Sequence, residues 1–402
     1  MRFSGHGMAG LTRHAMTVRT FLYAMSSAPI RSFALAVLIL LATRLEATAT
    51  SVTLPPALLR ADVLSARLAD ARQGELEINA IASGASNIGP VLRLTKKDQP
   101  GHQLEAGDAY AVLQASGWVD LRNGNWLIGY GSGRRDAYEG NRDAGQLWID
   151  LHADQHIQTD YYPAATSTGI AATWYGVGRR IPFSGSGIRG SCDLFVRCLV
   201  ADDLLMRSAV GEMHGESFSG MMHTVSSEQP TGSVRGRGWC VDARSDMHLG
   251  PRWDCSVSVE GLLGAITWRG VAVEYIHFTS PGVFEDPEGF LHDFFDASGA
   301  EFREDSTMRL APTYRLDLAS RGHPNLLLAI ASGNDNQMVP SVGVAWPQSK
   351  PWLPYLRAYP TQRWLELGAV GRRWQVRISA DDWPTASPKH LEIAFSAAPV
   401  RF

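Results

Sequence analysis

Trp239-Cys240-Val241-Asp242-Ala243-Arg244-Ser245-Asp246-Met247-His248-Leu249, then Gly250-Pro251-Arg252, then Trp253-Asp254-Cys255-Ser256-Val257-Ser258-Val259-Glu260 is the stretch that decides the fold. Successive side chains of an extended strand point to opposite faces. Trp239, Val241, Ala243, Met247 and Leu249 therefore share one face, and Asp242, Arg244, Asp246 and His248 share the other. After the Gly250-Pro251 turn, Trp253, Cys255, Val257 and Val259 alternate in the same way with Asp254, Ser256, Ser258 and Glu260. Two such runs across a short turn predict an antiparallel hairpin.

The same period of two runs outward in both directions. Trp374, Val376, Ile378 and Ala380 alternate with Gln375, Arg377 and Ser379, and residues 364–370 precede them across a tight turn near Gly371. Further strands are expected at 111–121, 126–130, 170–178, 192–200, 314–318, 326–331, 339–346 and 391–397, separated by Gly, Pro, Asn, Asp and Ser. Hairpins follow one another without intervening helices, for about 12 to 16 strands in all. No repeat of solenoid or propeller period and no Pro- or Ser-rich linker divides the chain, so residues 75–402 are read as one domain. Residues 281–305 break the pattern: Phe284, Phe290, Phe294 and Phe295 stand among Glu285, Asp286, Glu288, Asp293 and Asp296, as in a long loop carrying a short helix. Those four phenylalanines are candidates for a lid or plug with an apolar side.

The amino end reads differently. Arg31 precedes an apolar run at 33–41 and small residues at Ala47-Thr48-Ala49, the order of a secretory signal peptide over residues 1–49, with Met16 or Met25 as alternative starts. The run is too short to span a bilayer as a helix. Residues 50–74 follow, where Ala57, Ala61, Leu64 and Leu68 fall on one face of a short helix after Pro55-Pro56. A net charge of −3 from 37 basic and 40 acidic residues gives no cationic excess for nucleic acid. Export places Cys192, Cys198, Cys240 and Cys255 where disulfides are permitted. Their spacings match no zinc pattern, and they are read as small apolar wall residues.

Alternation also suits a soluble sandwich, since each of its strands buries one face. A transmembrane barrel further requires closure, an apolar outer surface and aromatic girdles. Trp253 and Trp374 begin strands, Trp364 follows the turn at Pro360-Thr361-Gln362, and Trp346 and Trp352 flank residues 347–351. With both termini on the periplasmic side, short turns near Gly371, Gly322-His323, Gly250-Pro251 and Ala201-Asp202-Asp203 fall on one side. Longer connections at 229–236, 281–309 and 381–388 fall on the other, provided that 204–226 and 252–279 are each one strand. The fold expected is all-β: a single antiparallel up-and-down transmembrane β-barrel with a short N-terminal helix. A periplasmic or secreted β-sandwich binding module is the alternative.

The segment from Gly238-Trp239 to Leu263-Gly264, the hairpin at 364–380 and the terminal Phe402 resemble uncharacterised Gram-negative outer-membrane β-barrels, and more loosely fatty-acid-transporter-type barrels. The resemblance implies an outer-membrane location, with outer-membrane lipid and the barrel-assembly machinery as partners. It also implies a passive channel or carrier for small, hydrophobic molecules. Counting back from Phe402 the apolar face passes through Val400 and Ala398, whereas the bulky residues are Leu391, Ile393 and Phe395. A bulge at Pro399 accounts for the change of phase.

No catalytic constellation emerges, and neither cofactor nor metal is expected. Gly185-Ser186-Gly187-Ile188-Arg189-Gly190 has the spacing of a dinucleotide loop without the helix that such a loop must open, and reads as a turn. His214 and Gly215-Glu216-Ser217 are close in sequence, but neighbours on a strand point to opposite faces and a nucleophile needs its base on the same side, so the reading is structural. Candidates for lining the lumen are Asp242, Arg244, Asp246 and His248, joined by phase with Arg315, Asp317, Gln375, Arg377 and Glu392. Their mixed signs suit a watery wall rather than a pore selective for one charge.

Overall fold

The computed structural model describes most of the chain from Glu75 to Arg401. Residues 1–74, 89–107, 153–159, 230–231, 286–290, 333–337, 347–351, 382–387 and a few shorter stretches, Phe402 included, lie outside the described residues. The helix expected at 57–70 falls there, as does the leader.

In chain order the strands are β1 Glu75–Ser86, β2 Ala109–Asn123 and β3 Trp126–Gly140, then the helix α1 Arg142–His152, then β4 Ala164–Gly185, β5 Ile188–His214, β6 Ser217–Ser226, β7 Glu228–Gln229 and β8 Gly232–Ser233. They continue with β9 Gly236–Leu249, β10 Trp253–Ser280, β11 Val283–Glu285, β12 Leu291–Asp293, β13 Asp296–Arg309, β14 Thr313–Ser320, β15 Asn325–Ser332 and β16 Met338–Ala345. The last four are β17 Trp352–Tyr359, β18 Trp364–Gly371, β19 Trp374–Ala380 and β20 His390–Arg401.

All pairing in the main sheet is antiparallel, and β1 pairs with both β2 and β20, so the first and last strands close it. β6 and β9 lie end to end between β5 and β10, and β13 and β14 lie end to end on the other side of β10. Counting each such pair as one stave gives a closed barrel of 14. Closure through a single continuous ladder overturns the sandwich alternative, which needs two separate sheets packed face to face.

The expected hairpin is present in register: Trp253 lies opposite Leu249, Asp254 opposite His248 and Cys255 opposite Met247. Cys240 lies opposite Gly264, well away from Cys255, and all four cysteines are free. Residues 252–279 do form one strand in essence, β10. Four other expectations are corrected. Residues 204–226 are two strands, since β5 ends at His214 and β6 begins at Ser217 opposite it. Ala201-Asp202-Asp203 is no turn but lies within β5, where Ala171 pairs with Asp203 and Ala172 with Ala201, leaving Asp202 as the extra residue of a bulge. Two consecutive aspartates look like a break in a sequence, but here the strand runs through them, Asp203 on the ladder and Asp202 in an ion pair with Arg235 at 3.2 Å. Where residues 281–309 are described they are strand, in place of the loop with a short helix expected at 281–305. Val283–Glu285 pairs with Leu291–Asp293, and Asp296–Arg309 is a full strand against β10. Residues 229–236 are a short β7–β8 excursion between two halves of one stave, not a connection between staves.

The outward face is apolar. Ile128, Tyr130, Tyr175, Val177, Val196, Trp239, Leu263, Leu365, Leu367, Val376, Ile393 and Phe395 are all large and all exposed. The inward face holds Asp193, Arg197, Asp254, Asp317, Arg357, Glu366 and Arg377, all buried. This is the inverse of a water-soluble protein and fits a solvent of hydrocarbon. The register of β20 on β1 slips between Leu76 and Ile78, so Ala398 and Pro399 together face the single residue Glu77, and the phase changes at that bulge.

Stave height differs around the ring. β14 to β18 have 8 residues each, whereas β4, β5 and β10 have 22, 27 and 28. Eight residues rise ~27 Å, about the height of a barrel's apolar band. The long strands continue beyond the band, on the end opposite Glu75 and Arg401, as a wall over one side of the mouth. Helix α1 sits at that far end, its N-terminus capped by Asn141 Oδ1, which accepts from the Ala144 N–H at 2.9 Å, and Ile149 packs on Ile88 and Ala109.

An arginine placed outward therefore separates band from wall. Leu367→Arg, in the middle of a short stave, is expected to lower unfolding free energy in lipid by about 2–4 kcal/mol, and Ala297→Arg, on the tall wall, to change it by less than about 0.5 kcal/mol. Denaturant titration in vesicles measures both.

Candidate functional site in the barrel interior

The inward residues sort into two layers. Toward the end that carries the short turns they form a lattice of ion pairs. Arg180 donates from Nε and Nη2 to the two carboxylate oxygens of Asp193, both at 2.8 Å. Arg197 donates to Asp242 at 2.7 Å, and the other demand on that carboxylate comes from the Gly261 N–H at 2.8 Å. Arg244 donates to Asp246 at 3.1 Å, and Ser256 Oγ donates to the same carboxylate at 2.7 Å. Arg315 lies 2.5 Å from Asp317, which also faces Arg357 at 3.4 Å, and Arg377 lies 3.0 Å from Glu392. Bidentate and doubly donated carboxylates offset part of the cost of taking both charges from water.

The nine lumen candidates are thus located as follows. Asp242, Arg244, Arg315, Asp317, Gln375 and Arg377 are buried on the inner face. Asp246 and Glu392 are partly covered there, with side chains 20% and 15% exposed. His248 is at the rim, half exposed, with Nδ1 2.6 Å from Asp254 Oδ1, and Arg321 donates from Nε to the same carboxylate at 3.0 Å. Gln375 borders a space of about 20 Å³ with Asn79, Trp118 and Ser396. The candidates do not gather into one site, since Asp242, Arg244 and Asp246 sit on β9 far around the ring from Arg377 and Glu392. Of the lid candidates, Phe284 belongs to β11, opposite His292, and Phe290, Phe294 and Phe295 lie outside the described residues.

Sequence reasoning missed Arg180, Asp193, Arg197, Arg357 and Glu366. The signal was available: Asp193, Phe195 and Arg197 alternate with Leu194, Val196 and Cys198 on β5, and Arg357 stands between Leu356 and Ala358. It was masked by Phe195 and Leu199, apolar residues on the inner face.

Leu199 belongs to the second layer, toward the far end, which is apolar, and Phe195, between Asp193 and Arg197 on β5, joins it from the level of the ion pairs. Trp118, Trp174, Phe195, Leu199, Leu204, Ile266, Trp268, Val271 and Val273 are buried together. Glycines on the inner face of β3 make room for the rings. A Cβ at Gly131 would come within 2.6 Å of Trp118 Cβ and 2.7 Å of the Trp174 ring, and one at Gly129 within 3.0 Å of Trp174 and Phe195. Trp174 and Phe195 meet edge to face at 6.0 Å, and the Arg197 guanidinium lies 5.2 Å over Trp174, joining the two layers.

Above this cluster the inner face of the tall wall opens. By phase with Leu204 and Val273, the residues Val210, Met221, Tyr275 and Phe302 all point inward, and they are 49%, 48%, 46% and 43% exposed. His223, Tyr275 and Phe302 form a stack, with centroids 4.4 and 5.8 Å apart. Below it, the space bordered by Asp193, Arg197, Asp242 and Glu260 is about 20 Å³, room for about one water. His214 and Ser217 lie opposite each other at the top of the wall, where His214 is 3.1 Å from Asp160 and exposed.

Together these features define a transmembrane β-barrel with an apolar vestibule above a polar lattice of ion pairs. No protein-family model matches the chain, and no curated protein sequence matches it. Among solved structures, the P. putida toluene transporter TodX is similar over 84% of this chain and 92% of its own, at 11% identity and a TM-score of 0.42. The CymD monoaromatic hydrocarbon channel is similar over 86% and 94%, at 9% identity and a TM-score of 0.21. The outer membrane protease OmpT from Escherichia coli is similar over 81% and 92%, at 8% identity and a TM-score of 0.20. Likeness at this level settles nothing further, and the barrel stands on its own strand register.

Removing one member of a buried pair leaves the other charge uncompensated. Asp317→Asn deprives Arg315 and Arg357 at once and is expected to cost about 3–5 kcal/mol of stability, while Asp246→Asn, nearer the rim, costs less. A loss at Asp317 within about 0.5 kcal/mol in denaturant titration contradicts the lattice.

Proposed function

We propose that the protein is an outer-membrane barrel that admits small hydrophobic molecules from the cell exterior, acting in transport and not in catalysis. The observation that carries the reading is the exposed apolar inner face at Val210, Met221, Tyr275 and Phe302. The interior of a water-filled porin is polar, so apolar side chains there have no use in conducting hydrated solutes. A concave apolar surface with few polar groups is instead what a hydrophobic ligand needs. The short-turn end, with both termini of the described ladder, then faces the periplasm, and the tall wall and α1 face outward. Outer-membrane lipid surrounds the apolar belt, and the barrel-assembly machinery inserts the chain.

The ion-pair lattice below the vestibule closes the lumen to hydrated solutes, so passage requires that it part or that cargo leave by another route. The reading is tested by uptake of a labelled monocyclic aromatic hydrocarbon by cells expressing the protein, alongside planar-bilayer recording. Wild type is expected to raise hydrocarbon uptake and to pass little steady ionic current. Tyr275→Asp combined with Met221→Asp is expected to lower uptake about tenfold without loss of the folded barrel, the scale of removing one large apolar contact. A steady porin-like current with no gain in hydrocarbon uptake contradicts the proposal.

A further inference from the structure

On the outside of the tall wall, where the apolar belt ends, three arginines stand together. Trp239, Ala265 and Arg309 are register neighbours across β9, β10 and β13, and the next outward row is Arg237, Thr267 and Thr307. Gly236 and Trp268 pack against each other on the inside, so Arg237 and Thr267 point out. Arg309 shares the outward row of Trp239, which is 49% exposed.

Arg269 completes the group through a bulge. The β10–β13 register slips between Trp268 and Val271, placing Arg269 and Gly270 opposite Asp305. Gly270 takes φ 70°, a conformation that glycine alone adopts readily, and its N–H donates to Asp305 Oδ1 at 2.9 Å. Arg269 follows the buried, inward Trp268 and is exposed. Arg237 and Arg309 flank β10, ~10 Å apart across it and ~7 Å apart along it, with Arg269 on β10 farther out.

None of the three has an ion-pair partner among the described residues. This contrasts with the paired arginines of the lumen. The nearest carboxylates in register are engaged: Asp305 by the Gly270 N–H, and Asp202 by Arg235 at 3.2 Å. The two threonines between them hydrogen-bond to each other at 3.0 Å.

We propose that Arg237, Arg269 and Arg309 form a clamp for the phosphate of an outer-leaflet lipid. The proposal rests on the outer-membrane orientation above. Three unpaired guanidinium groups stand on successive outward rows at the depth where acyl chains end and headgroups begin, beside and above Trp239 and Leu263. Guanidinium binds phosphate through paired, charge-assisted hydrogen bonds, and the apolar wall beneath offers the acyl chains a surface. A lipid phosphate satisfies both at once, whereas a free anion uses only the first.

The test uses the full-length barrel purified in detergent and exposed to lipid A, or to lipid A stripped of its phosphates, with retained lipid measured by mass spectrometry. Wild type is expected to retain the phosphorylated form preferentially. The triple variant Arg237→Gln, Arg269→Gln, Arg309→Gln is expected to lose that retention about tenfold or more, the scale of removing charge-assisted contacts. Arg179→Gln, an outward arginine near the opposite end beside Trp126, is expected to match wild type. Equal retention by the triple variant, or equal retention of the dephosphorylated lipid by wild type, overturns the clamp. Displacement of lipid A by millimolar inorganic phosphate overturns the lipid assignment as well. Heat-modifiable migration of the same preparations separates the two readings. A folded barrel without preference refutes the clamp alone, and a protein soluble without detergent refutes the membrane reading with it.

Discussion

In hydrocarbon there is no water to bond an unpaired peptide N–H or C=O, so a strand that crosses a membrane must be paired along both edges. The ladder meets this constraint by joining β1 to β20 over ten register pairs, from Glu75 with Arg401 to Ala85 with His390. Everything else follows from closure. Once the sheet is a tube, alternate residues face opposite solvents, and Leu365, Leu367 and Val376 can be exposed only because Glu366, Gly368 and Arg377 are enclosed. The charges inside are then held by one another, Arg180 by Asp193 and Arg315 by Asp317.

The irregularities of the ladder fall at two levels. The slip of β10 beside Gly261 lies at the break between β13 and β14, and farther along β10 the slip beside Gly270 lies level with the bulge at Asp202 and the β7–β8 excursion. Bulges bend a strand and strengthen its twist. Such irregularities let long strands serve first as barrel staves and then as the wall of a vestibule. Between the two levels the outer surface changes from Leu263 and Trp239 to arginines, while the inner face carries Ile266 and Trp268.

The barrel was legible in the sequence because its signal is periodic and local. The hairpin of Trp239 to Glu260 and the run from Trp374 to Ala380 each display a polar inner and an apolar outer face without help from tertiary contacts. The tall wall was less legible for the same reason. On β5 the inner face passes from Asp193 and Arg197 to Phe195, Leu199 and Leu204, so neither face is uniformly polar, and Asp202-Asp203 imitates a turn. The ion pairs themselves were not legible, because Arg197 with Asp242 and Asp317 with Arg357 join residues 45 and 40 positions apart, the first brought together by the pairing of β5 with β9 and the second across the two strands between β14 and β17. The vestibule was beyond reach as well, since it depends on glycines at 129 and 131 making space for rings on other strands.

Closure through β1 and β20 is the central claim, and a cross-link tests it most directly. In a background with the four native cysteines replaced by serine, Ala80→Cys and Phe395→Cys are placed opposite each other on the outer face. In folded protein in membranes, the account predicts rapid disulfide formation between these two under mild oxidation, and little between Ala80→Cys and a cysteine at Leu367, on a stave farther around the ring. A folded protein that forms no bond between positions 80 and 395 would contradict a barrel closed by its first and last strands.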